Sequence, residues 1–249
     1  MKKKIVLMLT VIMLIGLAGC GKNQINIKET GTSDNNEQMV QNIYENKRTE
    51  VKQKISEIKE RLPETSAEDK GTCGSKAKWY YKDNTLIIYG EGVITEDTWH
   101  KSNIVINTVV IDSGITKLGN NMFSGLGSEV GKNIENFYIA DGLEEIGSST
   151  FVNCDCLSEI VLPPSLYFID GYTFASCDSL KNVYMTDGVE KIGDSAFTGC
   201  KSLDSIFIPK TVLAIGNGVF TGCNNLSDIQ ISKDLSLIHI SEPTRPISI

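Results

Sequence analysis

Between about Asn35 and Leu62 the apolar positions Val40, Ile43 or Tyr44, Val51, Ile55, Ile58 and Leu62 return every three or four residues, the period of a helix with one buried stripe. Glu50/Lys54 and Glu57/Arg61 place an acid four residues before a base, the favoured order on a helical surface, and Pro63 marks the stop. The pattern predicts a helix over 35–62 that is roughly 42 Å long at 1.5 Å per residue. Such a helix could act as a spacer stalk, as a short coiled coil whose seam Arg48 interrupts, or as an exposed single helix. Beyond residue 72 the period changes to two. Trp79-Tyr80-Tyr81 and Thr85 to Gly92 read as two strands joined by Lys82-Asp83-Asn84, with Cys73-Gly74 just before them.

From Val109 onward a longer period takes over. Phe151, Phe174, Phe197 and Phe220 are spaced by 23 residues, and so are Cys154, Cys177, Cys200 and Cys223. Ile146, Ile169, Ile192 and Ile215 keep the same step, as do Leu157, Leu180, Leu203 and Leu226, and Ile160, Val183, Ile206 and Ile229. Five columns sharing one period predict a leucine-rich solenoid, in which each unit is one coil and stacking makes a continuous core. In Leu157 to Pro163, alternation turns Ile160 and Leu162 inward and Glu159 and Val161 outward, as in a strand that Pro163 closes. Asp194 to Phe197 reads as one helical turn, with Gly193 releasing the backbone before it. The whole is a mostly β solenoid of 23-residue coils with a parallel sheet and short helical turns, an N-terminal helix and a β-hairpin cap over the first coil.

The stretch Val189-Glu190-Lys191-Ile192-Gly193-Asp194-Ser195-Ala196-Phe197-Thr198-Gly199-Cys200-Lys201-Ser202-Leu203, followed by Ile206-Phe207-Ile208-Pro209, resembles the BspA-like leucine-rich repeat family of bacterial surface proteins. The resemblance covers about Val109 to Ile231. Asp170 departs from it in place of the Gly after Ile169, and Cys156 intrudes after Asp155. Phe123 precedes Phe151 by 28 residues, so five extra residues are expected as a bulge within Gly125 to Asn133.

The first twenty residues read as an address. Lys2-Lys3-Lys4, the apolar run Ile5 to Leu17, and Leu17-Ala18-Gly19-Cys20 resemble a bacterial lipoprotein signal. That resemblance implies cleavage before Cys20 and a diacylglycerol on its sulfur, a membrane anchor on the outer face of a bacterial membrane. Domains follow as signal peptide 1–19, flexible tether 20–34, helical stalk 35–62, linker 63–71, cap 72–108 and repeats 109–234. The tail 235–249 breaks the period, since Pro243 and Pro246 stand where Phe and Cys are due. Leu235 to Arg245 resembles a translated sequencing-library adaptor, so the tail is expected not to be native and the natural chain to continue with further coils.

Composition narrows the chemistry. The 249 residues are 41% hydrophobic and 22% charged, a globular balance. Lys and Arg number 24 against 31 Asp and Glu, a net charge of -7. Cleavage before Cys20 would take away three Lys and no acid, moving it to -10. An acidic chain argues against nucleic acid as a partner. With two His and no nucleophile motif, no catalytic residue, metal site or cofactor is assigned, and the chain is not read as an enzyme. Asp112, Asp141 and Asp187 recur after strands and read as turn residues. The repeated Cys reads as small core filler, because stacked equivalents point their Cβ atoms the same way, a poor geometry for disulfides.

The informative surface is the outward column of the sheet: Val110, Tyr138, Val161, Tyr184, Phe207 and Gln230. Aromatics lining one exposed face either pair across strands or bind. The candidate ligand-binding residues are Tyr138, Val161, Tyr184, Phe207 and Gln230. On this reading the chain is a lipid-anchored surface module that holds a protein or glycan on its concave face. The alternative is a structural spacer that displays a domain missing from this chain.

Overall fold

The computed structural model describes residues 26–30, 34–101, 104–125, 129–232 and 239–240. The expected signal peptide, Cys20 and all of the tail except 239–240 lie outside them.

Strand β1 is Asn26–Thr30, and helix α1 is Asp34–Arg61. The cap follows as β2 (Asp69–Thr72), β3 (Lys76–Lys82) and β4 (Thr85–Ile94). β3 and β4 form the expected hairpin. Asp83 and Asn84 carry φ of 48° and 56° at its tip, the left-handed pair that matches strand twist in a two-residue turn. β2 adds a third antiparallel strand on β3. β4 then pairs in parallel with the first strands of both coil sheets, so the hairpin closes the end of the stack.

Each coil contributes to two parallel sheets. The first is a row of short strands hydrogen-bonded in successive pairs: β5 (Thr108–Ile111) with β7 (Asn136–Ile139), β9 (Glu159–Val161) with β11 (Asn182–Tyr184), and β13 (Ser205–Ile208) with β15 (Asp228–Ser232). The second holds β6 (Ile115–Leu118), β8 (Glu145–Ile146), β10 (Phe168–Ile169), β12 (Lys191–Ile192), β14 (Ala214–Ile215) and β16 (His239–Ile240). The register is the sequence period: Glu159 faces Asn182 and Ile169 faces Ile192. Between β5 and β7 the offset is 28, Thr108 facing Asn136. The extra residues are taken up where a short helix, α2 (Glu129–Lys132), interrupts the coil.

Inside the coils Phe123, Phe151, Phe174, Phe197 and Phe220 are fully buried and stacked, with centroids 5.9, 5.0, 5.2 and 5.7 Å apart. Trp99 stacks on Phe123 at 5.4 Å and meets Trp79 of β3 edge to face, ending the ladder beneath the cap. The Cys column is buried, and it does more than fill space. The thiols of Cys154, Cys177, Cys200 and Cys223 donate to the carbonyls of Phe123, Phe151, Phe174 and Phe197 in the preceding coil, at 3.2, 2.9, 3.0 and 3.0 Å. A buried carbonyl left alone costs free energy, and Cys supplies a donor on a small apolar body. All six described cysteines are free.

Three local expectations change. Asp194 to Phe197 is not a helical turn: Ser195 takes φ 56°, as Tyr172 and Ser149 do one and two coils earlier, so the chain corners sharply instead of winding. Gly193 is needed for close approach and not for its φ, since a Cβ there would lie 2.5 Å from the Gly171 nitrogen. Residues 26–30, expected within a flexible tether, form β1 and pair in parallel with β15, Asn26 facing Asp228 and Thr30 facing Ser232. They cover an edge that would otherwise offer unpaired backbone groups.

Candidate interaction face

α1 matches the expected helix to within a residue at each end, but it is not a free stalk. It lies along the outer side of the first sheet. Its positions 44, 48, 51, 55 and 58, with Leu62 just past its end, step by four and three and are all buried. Tyr44, Val51, Ile55, Ile58 and Leu62 join Tyr80, Ile87, Val110 and Val161 in a second apolar cluster, separate from the coil interior, with Tyr138 and Tyr184 packed at its margin. Twenty-eight helical residues are long enough, at about 1.5 Å each, to run from the β15 rung to the cap.

Polar contacts fix the crossing. At one end Ser232 donates to Glu37 (2.7 Å) and Thr186 to Gln41 (2.7 Å). Mid-helix, the Tyr44 hydroxyl donates to the Leu162 carbonyl at 2.8 Å. At the far end Tyr80 donates to the Leu62 carbonyl at 2.9 Å. Burial pushes the Tyr44 hydroxyl well above its ordinary pKa and raises those of Tyr80, Tyr138 and Tyr184. All four therefore remain protonated donors at neutral pH.

Charge pairing is one-sided: bases on the helix meet acids on the sheet. Arg48 is 3% exposed, donating to the Ile139 carbonyl at 2.9 Å and to Asp141 at 2.6 Å. Lys52 reaches the other oxygen of Asp141 at 2.8 Å, and Lys59 pairs with Asp112. Lys47 pairs with Glu159 at 3.1 Å and sits 5.5 Å from the Tyr184 ring centre. Partial burial would raise the Asp141 pKa, but the hydrogen bonds and charges of Lys52 and Arg48 outweigh it and hold the carboxyl low. At Lys47 desolvation would lower the pKa, and the bonds to Glu159 and Glu50 turn the balance upward.

The candidate ligand-binding residues thus fall into two groups. Val161 is buried beneath α1 at 4% exposure, and Tyr138 is half-buried against the helix. Tyr184, Phe207 and Gln230 are also half-buried. Together with Val40, Ile43 and Tyr44 of the helix they line a cleft of about 140 Å³ that remains beside its N-terminal half. Ile43 is 43% exposed at this cleft and Met39, one turn earlier, is 56% exposed. Arg48 is the residue whose role the periodicity hid: it breaks an apolar stripe because it is the anchor. Asp112 and Asp141 were visible only as turn residues, although their recurrence after each strand placed them along one rim. Asp187, the third of that series, pairs with Lys210 at 2.9 Å instead. Among the described residues no group of three or more His, Cys, Asp or Glu side chains could hold a metal ion, and no helix is long and apolar enough to cross a membrane.

A stack of parallel coils with a helix seated on one sheet defines a leucine-rich repeat scaffold, with an interaction face where a helix is already bound. The family model described as the BspA type leucine rich repeat region matches residues 129–241 in six copies, and these coils are BspA-type leucine-rich repeats. Among solved structures, a leucine-rich repeat protein from Eubacterium ventriosum shares 23% identity with a TM-score of 0.57, over 67% of this chain and 44% of that one. A leucine rich cell surface protein from Faecalibacterium prausnitzii shares 22% identity with a TM-score of 0.44, over 68% of this chain and 56% of that one. The chain thus spans about half the length of these two relatives. No curated protein matches the sequence.

Proposed function

We propose that this chain is an exported surface protein, anchored by lipid at Cys20, that binds a protein partner through the outer face of its first sheet. The observation that carries the reading is the cleft at Tyr184, Phe207 and Gln230, where aromatic and apolar groups stay half-exposed beside a helix that covers the rest of the column. Rigid aromatic side chains in a partly desolvated recess supply contact area at little entropic cost. Leucine-rich repeat scaffolds present such faces on rigid strands, and the assigned family is one of bacterial repeat proteins. Binding to host or matrix protein gives the module an adhesive role. A glycan partner would use the same aromatic recess.

The test replaces Tyr184 and Phe207 by Ala together and measures binding to immobilised matrix proteins and to a glycan array. Neither side chain belongs to the coil interior, so the variant is expected to fold and to lose binding. Retained binding by a folded double variant would favour a spacer. Mass spectrometry of the N-terminal peptide tests the anchor, and an unmodified Cys20 would remove it.

A further inference from the structure

The helix on the sheet shows what chemistry this face accepts. We infer that α1 is a displaceable occupant, and that the face beneath it takes the amphipathic, basic helix of a partner protein in its place. The inference rests on the interaction-module reading and names the kind of partner.

Three observations carry it. First, α1 contributes nothing to the coil interior. The Phe ladder, the Cys column and the Leu and Ile columns form one cluster, and the apolar residues of α1 pack into another on the outside. The helix can therefore leave without opening the core. Second, the charge complementarity is directional. Asp112, Asp141 and Glu159 line the seat, and Lys47, Arg48, Lys52 and Lys59 answer them from the helix. An empty seat would expose three carboxylates flanking Val110, Tyr138, Val161 and Tyr184, a surface that selects a helix with one apolar stripe and bases beside it. Third, the resident helix is imperfectly satisfied. Arg48 is almost wholly buried, yet its Nε has no hydrogen-bond partner among the described residues. A buried donor without an acceptor costs free energy that a better-fitted ligand recovers.

The hinge is present too. Between α1 and β2 the chain passes through Pro63 and a 3-10 turn, Glu64–Ser66, that buries no residue. The half-open cleft beside Val40 and Ile43 gives an entering helix a first foothold. A partner would carry an aromatic or large apolar residue in the place of Tyr44, a base four residues later, and apolar residues in the places of Val51, Ile55 and Ile58.

The experiment uses the full chain and a fluorescent peptide of residues 34–62 as the probe. Val51→Asp with Ile55→Asp is introduced to unseat the resident helix. The variant is expected to bind the peptide at least 100-fold more tightly than the unaltered chain does, and a peptide bearing Arg48→Glu is expected to lose that binding. Equal binding by variant and unaltered chain overturns the inference, as does undiminished binding of the Arg48→Glu peptide. So does no binding by a variant whose coil amides keep their protection from hydrogen exchange. Should the variant fail to fold, a protease site placed within residues 63–68 serves instead. After cleavage, labelled peptide is expected to exchange into the seat within hours, and no exchange over days overturns the inference. Loss of matrix binding by the Tyr184 and Phe207 variant is a separate readout, so this inference can fail while the proposed function stands.

Discussion

Replacing Arg48 by Ala probes how α1 is held. The guanidinium donates to a neutral carbonyl, Ile139, and a buried hydrogen bond from a charged donor contributes about 1.5–3 kcal/mol. Its second contact, to Asp141, is to a side chain 44% exposed, so solvent limits that pair to about 1 kcal/mol or less. Removal of the buried guanidinium also relieves the unpaired Nε, which returns about 1 kcal/mol. The balance favours loss, by about 2 kcal/mol of docking free energy, or ~30-fold in the opening equilibrium at about 1.4 kcal/mol per decade. The reading comes from amide hydrogen exchange followed by mass spectrometry. Peptides from 34–62 are expected to exchange ~30-fold faster, while peptides from 109–232 keep their rates, because the coil interior does not include the helix. Unchanged exchange in α1, or equal acceleration throughout the coils, would refute the separation into two clusters.

Three further outcomes follow from the same geometry. Phe174→Ala removes a fully buried ring stacked at 5.0 and 5.2 Å on its neighbours, and is expected to cost about 3–5 kcal/mol in urea denaturation; a loss under 1 kcal/mol would contradict a packed ladder. Thiol labelling of the native chain is expected to modify Cys156 quickly and to spare Cys73, Cys154, Cys177, Cys200 and Cys223 until denaturant is added. Burial pushes the Cys73 thiol up to about 12 and raises that of Cys177, while the hydrogen bond with Cys223 and then burial raise that of Cys200, so little thiolate exists at neutral pH. Acid is expected to loosen α1. The Asp141 pKa is lowered in the folded chain, so its contribution is complete above the unfolded carboxyl value near ~4 and fades as pH falls through the folded value. Faster exchange of α1 amides as pH drops below ~4, after correction for intrinsic rates, would show it, and Asp141→Asn should flatten that dependence.

Much of this architecture is local or periodic, and so can be read from the chain. A 23-residue step places Phe174 over Phe151 and Cys177 beneath Phe151's carbonyl whatever else the molecule does, because a coil cannot bury its own apolar side without a copy above it. The hairpin at Asp83-Asn84 and the limits of α1 are likewise dictated by neighbours in sequence. The corner at Ser195 is not legible in the chain, because a Ser in a left-handed conformation leaves no compositional trace and the surrounding Asp-Ser-Ala-Phe suits a helical turn.

What the sequence determined by itself is a periodic interior, a helix with one apolar stripe, and a strand column with aromatics on its outer side. That the last two belong together emerges only when the chain has folded. Tyr44 and Leu162 lie 118 residues apart, and each surface alone is equally compatible with solvent, a second copy or a ligand. Periodicity reports that a face must be covered; it carries no information about what covers it. That choice is made by shape and by the pairing of Arg48 with Asp141, which exists only once the helix has folded back along the sheet.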